Sequence, residues 1–194
     1  YNQQSLQKKR NLCPLEVYRP GGYRFFTICD PKERIIAVAP FRDRVLHHAV
    51  VRVLTPVYER TFIRDSYATR RGKGTHAAVR RARQFLRYNA WYLKADIEKY
   101  FDSVRHGVLI DLLRRKIKDR VFLELLERII GNSQVHGQGL PIGNLTSQFL
   151  ANVYLDPLDH EVKGAIKSES NLVWLLGGVV KIIWKVRTRI DAIF

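Results

Sequence analysis

Asp96 closes an apolar stretch, WYLKADI (Trp91 to Ile97), that alternates with period two. Trp91, Leu93, Ala95 and Ile97 fall to one side, and Tyr92, Lys94 and Asp96 to the other. That pattern predicts a half-buried strand whose polar face ends in a carboxylate. Such a carboxylate is rigidly held, and the next backbone carbonyl can face the same ion, as oxygen-ligand sites for divalent cations require. An aspartate that ends a strand or caps a helix is the alternative reading. A second candidate is Arg70-Arg71-Gly72-Lys73-Gly74-Thr75, which opens a predicted helix. Glycines there let backbone N–H groups approach a phosphate, and a helix start favours an anion. The spacing is not that of a P-loop, and a basic turn ahead of a capped helix reads as well. A third is Gly137 to Asn144, with three glycines and Pro141 before another helix: a loop pressed on a ligand, or a connection. No histidine has a partner at metal-ligand spacing, and no Gly-x-Ser-x-Gly occurs.

These groups need elements to position them. Tyr23 to Cys29 and Arg34 to Ala39 read as a hairpin around the turn Asp30 to Glu33. Asp43 to Tyr58 reads as a helix with Val45, Leu46, Ala49, Val53 and Leu54 on one face. Thr75 is the predicted N-cap of a helix that buries Val79, Ala82, Phe85 and Leu86. That would turn Arg80, Arg81, Arg83 and Arg87 toward solvent or a polyanion. After the strand at Asp96, one helix carries Val108, Leu109, Leu112 and Leu113. Another carries Phe122, Leu125, Leu126 and Ile129, and Gly131 should stop it. A last helix starts near Asn144 with Phe149, Val153 and Tyr154 as apolar positions. The order predicts an α+β fold, antiparallel strands with packed helices, with at least one more strand needed to complete a sheet.

The composition narrows the partners. In 194 residues, 34 Lys+Arg face 18 Asp+Glu, for a net charge of +16. Nucleic acid is the first partner this suggests and an anionic membrane the second. Residues 60 to 90 hold nine Lys/Arg and one carboxylate, Asp65. The hydrophobic share of 46% excludes a disordered chain. Cys13 and Cys29 form no Cys-x-x-Cys, and read as two buried thiols of a cytoplasmic protein or one disulfide. No signal peptide is apparent, and no apolar run approaches the roughly 20 residues of a transmembrane helix. The chain has no Met, which reads as a fragment or a processed piece.

As a set, the candidates resemble a known family. LKADIEKYFDSV (Leu93 to Val104) resembles the first catalytic motif of reverse transcriptases, and GLPIGNLTSQFLANVYLDPLDHEVK (Gly139 to Lys163) the motif that follows it. DPKERIIAVAPFRDRVLHHAV (Asp30 to Val50) and SYATRRGKGTHAAV (Ser66 to Val79) resemble the two fingers motifs. The likeness is to bacterial enzymes of the group II intron, retron and diversity-generating retroelement kind. Ile142-Gly143-x-x-x-Ser147-Gln148 is similar to the diversity-generating branch.

The resemblance implies fingers and a partial palm of a right-hand polymerase. Residues 1–90 would be fingers, 91–165 partial palm, and 166–194 a tail that departs from the family. It implies an RNA-directed DNA polymerase using Mg²⁺, an RNA template, a DNA primer and dNTPs. Two metal ions would activate the primer oxygen and neutralise the departing pyrophosphate. Asp96 would be the first metal-binding aspartate and Ile97 the residue whose carbonyl joins it. Phe101 would block a 2′-hydroxyl. Lys32, Arg34 and Lys73 would reach the triphosphate, with Ile142 and Gly143 beside the nucleotide. Arg70, Arg71, Arg80, Arg81 and Arg83 would hold nucleic acid.

The family's next motif, aromatic-x-Asp-Asp, has no counterpart after Lys163, where the acids are Glu169 and Asp191. Asp156 and Asp159 fall on the helix after the second motif and make a poor substitute. The expectation is therefore a chain that does not polymerise alone. A non-catalytic basic nucleic-acid-binding module is the alternative. Residues 174–189 alternate apolar and basic groups and predict an amphipathic helix, lying on the core or on a membrane surface.

Overall fold

A computed structural model of the chain describes residues 18–29, 33–88, 97–133 and 137–165. Residues 91–96 of the expected strand, 30–32 of the expected turn and the tail expected to form an amphipathic helix lie outside the described residues. The chain divides into two compact units. One is built from Tyr1–Val51 and Phe101–Ser147, the other from Arg52–Tyr100 and Gln148–Phe194.

In the first unit, β1 (Arg24–Cys29) and β2 (Glu33–Val38) pair antiparallel, with Phe25 opposite Ala37 and Ile28 opposite Arg34. This is the predicted hairpin, and it is the one sheet among the described residues. The β-branched and aromatic residues of both strands suit a pleated surface. Cys29, at the end of β1, is free and exposed, not buried as its residue type suggested. Helix α1 (Phe41–Tyr58) follows; its residues to Val51 belong to this unit and those from Arg52 to the second. Its buried residues are Asp43, His47, Val50, Leu54 and Tyr58, while Val45 and Val53 are more than half exposed. Apolar periodicity placed the face wrongly because two of its members are polar. Asp43 earns its burial through the Gly21 N–H, which donates to Oδ2 at 2.7 Å. Burial lowers the pKa of His47, so its neutral form is favoured in that face.

Helices α4 (His106–Lys116) and α5 (Arg120–Gly131) pack against each other in the same unit. Leu109, Leu113, Leu125, Leu126, Ile129 and Ile130 are buried there. Each fully buried side chain of this kind contributes about 1.5–3 kcal/mol. Asp119 caps α5 by accepting the Phe122 N–H at 2.9 Å. Gly131 is the last helical residue, as its type predicts.

The second unit holds α2 (Thr75–Tyr88) and most of α6 (Leu145–Ala165). The buried stripe of α2 is Ala78, Ala82 and Phe85; Val79 and Leu86 are largely exposed. The helix is therefore rotated from the expected face. Small alanines close against Tyr67, and the bulkier apolar groups lie at the border. Thr75 is the first helical residue rather than the cap. The Gly74 carbonyl takes the first helical bond, from the Ala78 N–H at 3.1 Å, and Gly74 has φ +97°. On α6, Phe149 joins Tyr58 and Phe62 in an aromatic cluster with centroids 5.8–6.1 Å apart. α3 (Tyr100–Ser103) is a single turn, and the Tyr100 hydroxyl donates to the Ala151 carbonyl at 2.7 Å.

Candidate nucleotide loop and basic pocket

In the first unit, the loop Gly137 to Asn144 is hydrogen-bonded on both sides. The Gly139 N–H donates to Val104 O and the Leu140 N–H to Phe101 O, both at 2.8 Å. The His106 ring meets the Gly139 carbonyl at 2.7 Å. Farther along, the Ala37 N–H of β2 donates to Ile142 O at 2.8 Å, and Asn144 Nδ2 donates to Ala37 O at 3.1 Å. One loop thus ties the Phe101 turn to the strand that carries Arg34. Of the sequence-predicted site residues, Phe101 and Ile142 are joined to this run by their backbone carbonyls; Gly143 follows Ile142, and Arg34 stands on β2 three residues before Ala37. Ile142 contributes its carbonyl, with its side chain half-buried. His106 and Asn144, both buried, were missed as positioning residues. The signal for Asn144 was its place before a helix, which reads as a cap and hides its bond to the strand.

Gly143 is the tightest point of this run. A Cβ there would lie 2.8 Å from Ile36 Cγ2 and 3.1 Å from Ala37 O, and φ is +114°. Strained φ and overpacking each cost about 1–3 kcal/mol. Gly143→Ala is therefore expected to lower stability by about 3 kcal/mol in urea unfolding. An unchanged midpoint would mean that the loop is not pinned to β2.

In the second unit, the segment 63–74 is held from within. Arg70 donates to both Glu59 oxygens, to Ile63 O at 2.8 Å and to Ser66 O at 3.0 Å. Asn152 of α6 donates to Ala68 O at 2.7 Å. Lys73 Nζ donates to Arg64 O at 2.6 Å and stands over the Tyr67 ring. Asp65 accepts from Arg81 Nε and from the Tyr67 hydroxyl, both at 3.1 Å. A cavity of about 330 Å³ opens here, lined by Arg64, Tyr67, Gly72, Lys73, Ala77, Arg80, Arg81 and Gln84. Arg71 and Arg83 are exposed outside it. The nine basic residues of the sequence window therefore divide. Arg70 is an internal clamp, Arg81 is half-committed to Asp65, and Arg80 is exposed at the cavity.

Asp159 of α6 is buried in this unit. Burial, then the nearby Asp156 carboxylate, pushes its pKa up to about 8. A folded-state pKa raised from 3.8 means that the native state holds a proton which the unfolded chain releases. Stability from this group is full below about pH 4 and is lost as pH rises toward 8. Hydrogen exchange of the α6 amides should accordingly speed up between pH 5 and 8 beyond its intrinsic pH dependence. Asp159→Asn should flatten that trend, and a trend that persists in the variant would refute the assignment.

Asp96 and Lys32 lie outside the described residues, and Ile97 is half-buried just before α3. Among the described residues no group of three or more His, Cys, Asp or Glu side chains is placed to hold a metal ion. No helix among them is long and apolar enough to cross a membrane.

Residues 28–176 match the family described as Reverse transcriptase (RNA-dependent DNA polymerase). A 91 kDa protein in the cob intron of Schizosaccharomyces pombe is 32% identical over 156 residues, 77% of this chain and 18% of that protein. The group II intron-encoded protein LtrA of Lactococcus lactis subsp. cremoris is 31% identical over 135 residues, 66% of this chain and 22% of that protein. The chain thus spans about a fifth of the length of these relatives. A solved partial Cas6-RT-Cas1–Cas2 complex is similar at 23% identity and TM-score 0.45, over 93% of this chain and 31% of that one. The family match covers β2, the basic segment and the loop that joins Phe101 to β2, and by it this α+β chain belongs to the reverse transcriptases, the RNA-directed DNA polymerase family.

Proposed function

We propose that this chain supplies the fingers, within residues 1–90, and part of the palm, within 91–165, of an enzyme that copies RNA into DNA. The family match over residues 28–176 carries the reading. It is supported by the run of hydrogen bonds from Phe101 through Leu140 and Ile142 to Ala37. Asp96 is the metal-binding carboxylate and Ile97 its carbonyl neighbour. Phe101 excludes the ribose 2′-hydroxyl. Lys32, Arg34 and Lys73 take the triphosphate of the dNTP, with Ile142 and Gly143 flanking the nucleotide. Arg71, Arg80, Arg81 and Arg83 attract the template–primer, and Arg70 positions the segment that carries Arg71 and leads into α2. Mg²⁺, when bound, supplies activation of the primer oxygen and neutralisation of pyrophosphate. The pattern Ile142-Gly143-x-x-x-Ser147-Gln148 supports a reading on the diversity-generating side of the family. The exposed thiol of Cys29 suits a reducing, cytoplasmic setting.

The family match runs on to residue 176, yet these 194 residues include no adjacent Asp-Asp. By itself, therefore, the chain does not polymerise. Joined to the Tyr-x-Asp-Asp segment and thumb of a family member in place of residues 166–194, it should make DNA on an RNA template with Mg²⁺. Failure of several such chimaeras that fold would overturn the reading.

A further inference from the structure

The hairpin of β1 and β2 has little core to hold it. All six residues of β1 are exposed, and on β2 only Ala37 is buried. A two-stranded hairpin by itself is marginal in water, so its legs need fixing at the base. The β2 leg is fixed twice. Ala37 is bonded to Ile142 O and to Asn144, and the chain enters α1 at Phe41, three residues after Val38. The β1 leg is fixed by what precedes it. The Gly21 N–H donates to Asp43 Oδ2 at 2.7 Å, Asn132 Nδ2 donates to Gly21 O at 3.1 Å, and Arg42 Nη2 donates to Arg19 O at 2.9 Å. The Arg42 guanidinium also lies 5.6 Å from the Tyr18 ring centroid. Residues 18–22 thus form a strap across the first turn of α1. Gly21 lies so close that a Cβ there would stand 2.8 Å from Pro40 Cγ and 3.2 Å from Asp43 Oδ2. The strap, the start of α1, Asn132 and the hairpin all belong to the first unit.

Stability alone does not explain a carboxylate at this hub. Asp43 is 2% exposed, and Arg42 Nε stands 3.5 Å from its Oδ1. That oxygen, the Tyr18 hydroxyl and His47 Nδ1, one helical turn on, are buried without a hydrogen-bond partner among the described residues. Buried polar atoms left unmatched are costly, and a well-packed apolar side chain of similar size is often as stable or more so. What an apolar side chain cannot do is accept the Gly21 N–H.

We propose that Asp43 is a positioning residue for the incoming nucleotide: it latches the strap 18–22 to α1 and so sets where β1, and with it the hairpin that carries Arg34, stands. The proposal deepens the polymerase reading above and rests on it for the nucleotide.

The test uses the full 194-residue chain for hydrogen exchange and the chimaera for kinetics with dTTP. Asp43→Leu removes the acceptor and fills its space, and Gly21→Ala pushes the strap off from the other side. In both, the hydrogen-bonded amides of β1 and β2 should exchange about tenfold faster, the worth of one hydrogen bond to a charged group. Those of α4 and α5 should keep the wild-type rate. In both variants KM for dTTP should rise several-fold, with a smaller change in kcat. Asp43→Asn retains an acceptor for Gly21 and should bring exchange and KM back toward wild type. Exchange that speeds up equally in the hairpin, α4 and α5 would make Asp43 an ordinary core residue and overturn the proposal. So would wild-type hairpin exchange in both Asp43→Leu and Gly21→Ala, or faster hairpin exchange with KM unchanged. If the chimaera makes no DNA with Asp43 in place, the polymerase reading falls, and exchange in the 194-residue chain still decides the latch.

Discussion

Arg70→Met is expected to destabilise the second unit by about 3 kcal/mol, the range for breaking a buried ion pair from one side. The Arg70 side chain is 6% exposed and that of Glu59 32%. The guanidinium places Nε 3.1 Å from both Glu59 oxygens and Nη2 2.7 Å from Oε2. Nη1 reaches two carbonyls of the 63–66 turn, and the planar group lies 5.3 Å from the Phe62 ring centroid. Removing it strands Glu59 and two backbone acceptors together. Methionine fills most of the volume and satisfies none of them. Lysine should rescue little, because a point charge cannot fork to a carboxylate and two carbonyls at once. Urea unfolding measures the loss, and a change below about 0.5 kcal/mol would place Arg70 among ordinary surface charges. RNA affinity should fall with stability, since the same clamp holds the Arg71 to Thr75 turn.

Arg70 also marks where the sequence was legible and where it was not. Residue type and clustering identified a basic segment but could not tell a clamp from a contact. That difference depends on Glu59, eleven positions earlier, which has no sequence signature. Helix α1 is a parallel case. Its boundaries were readable from hydrophobic period, but its buried face includes Asp43 and His47, which that period cannot count. The hairpin was plain because its strands alternate with a turn signal between them. The loop at Gly137 to Asn144 was visible as glycine-rich, with its purpose hidden. Gly143 stands there because the Ile36 side chain and Ala37 carbonyl leave no room for a Cβ, a fact of tertiary contact. Asn152 looks like any polar residue on a helix, and its bond to Ala68 O is likewise non-local.

The second large effect concerns Asp96. In the proposed polymerase, its carboxylate is one of the few groups that can bring a divalent ion to the primer end. Oxygen ligands to Mg²⁺ are demanding in geometry, and few protein carboxylates are used. Losing even an outer partner of a metal ligand costs about 10–100-fold, so losing the ligand itself should cost more than about 100-fold. Binding of RNA through the basic segment needs no metal and should survive the substitution. That contrast separates a catalytic carboxylate from a strand-ending aspartate, whose loss would lower stability and binding together. Asp96→Asn keeps the shape and removes the charge, and it should fail nearly as badly as alanine.

The most direct measurement is the rate of Mg²⁺-dependent DNA synthesis on an RNA template by the chimaera, with Asp96 and with Asp96→Ala, at matched RNA occupancy. The account predicts a fall of more than about 100-fold with RNA affinity unchanged. Synthesis that continues at the wild-type rate in Asp96→Ala would contradict it.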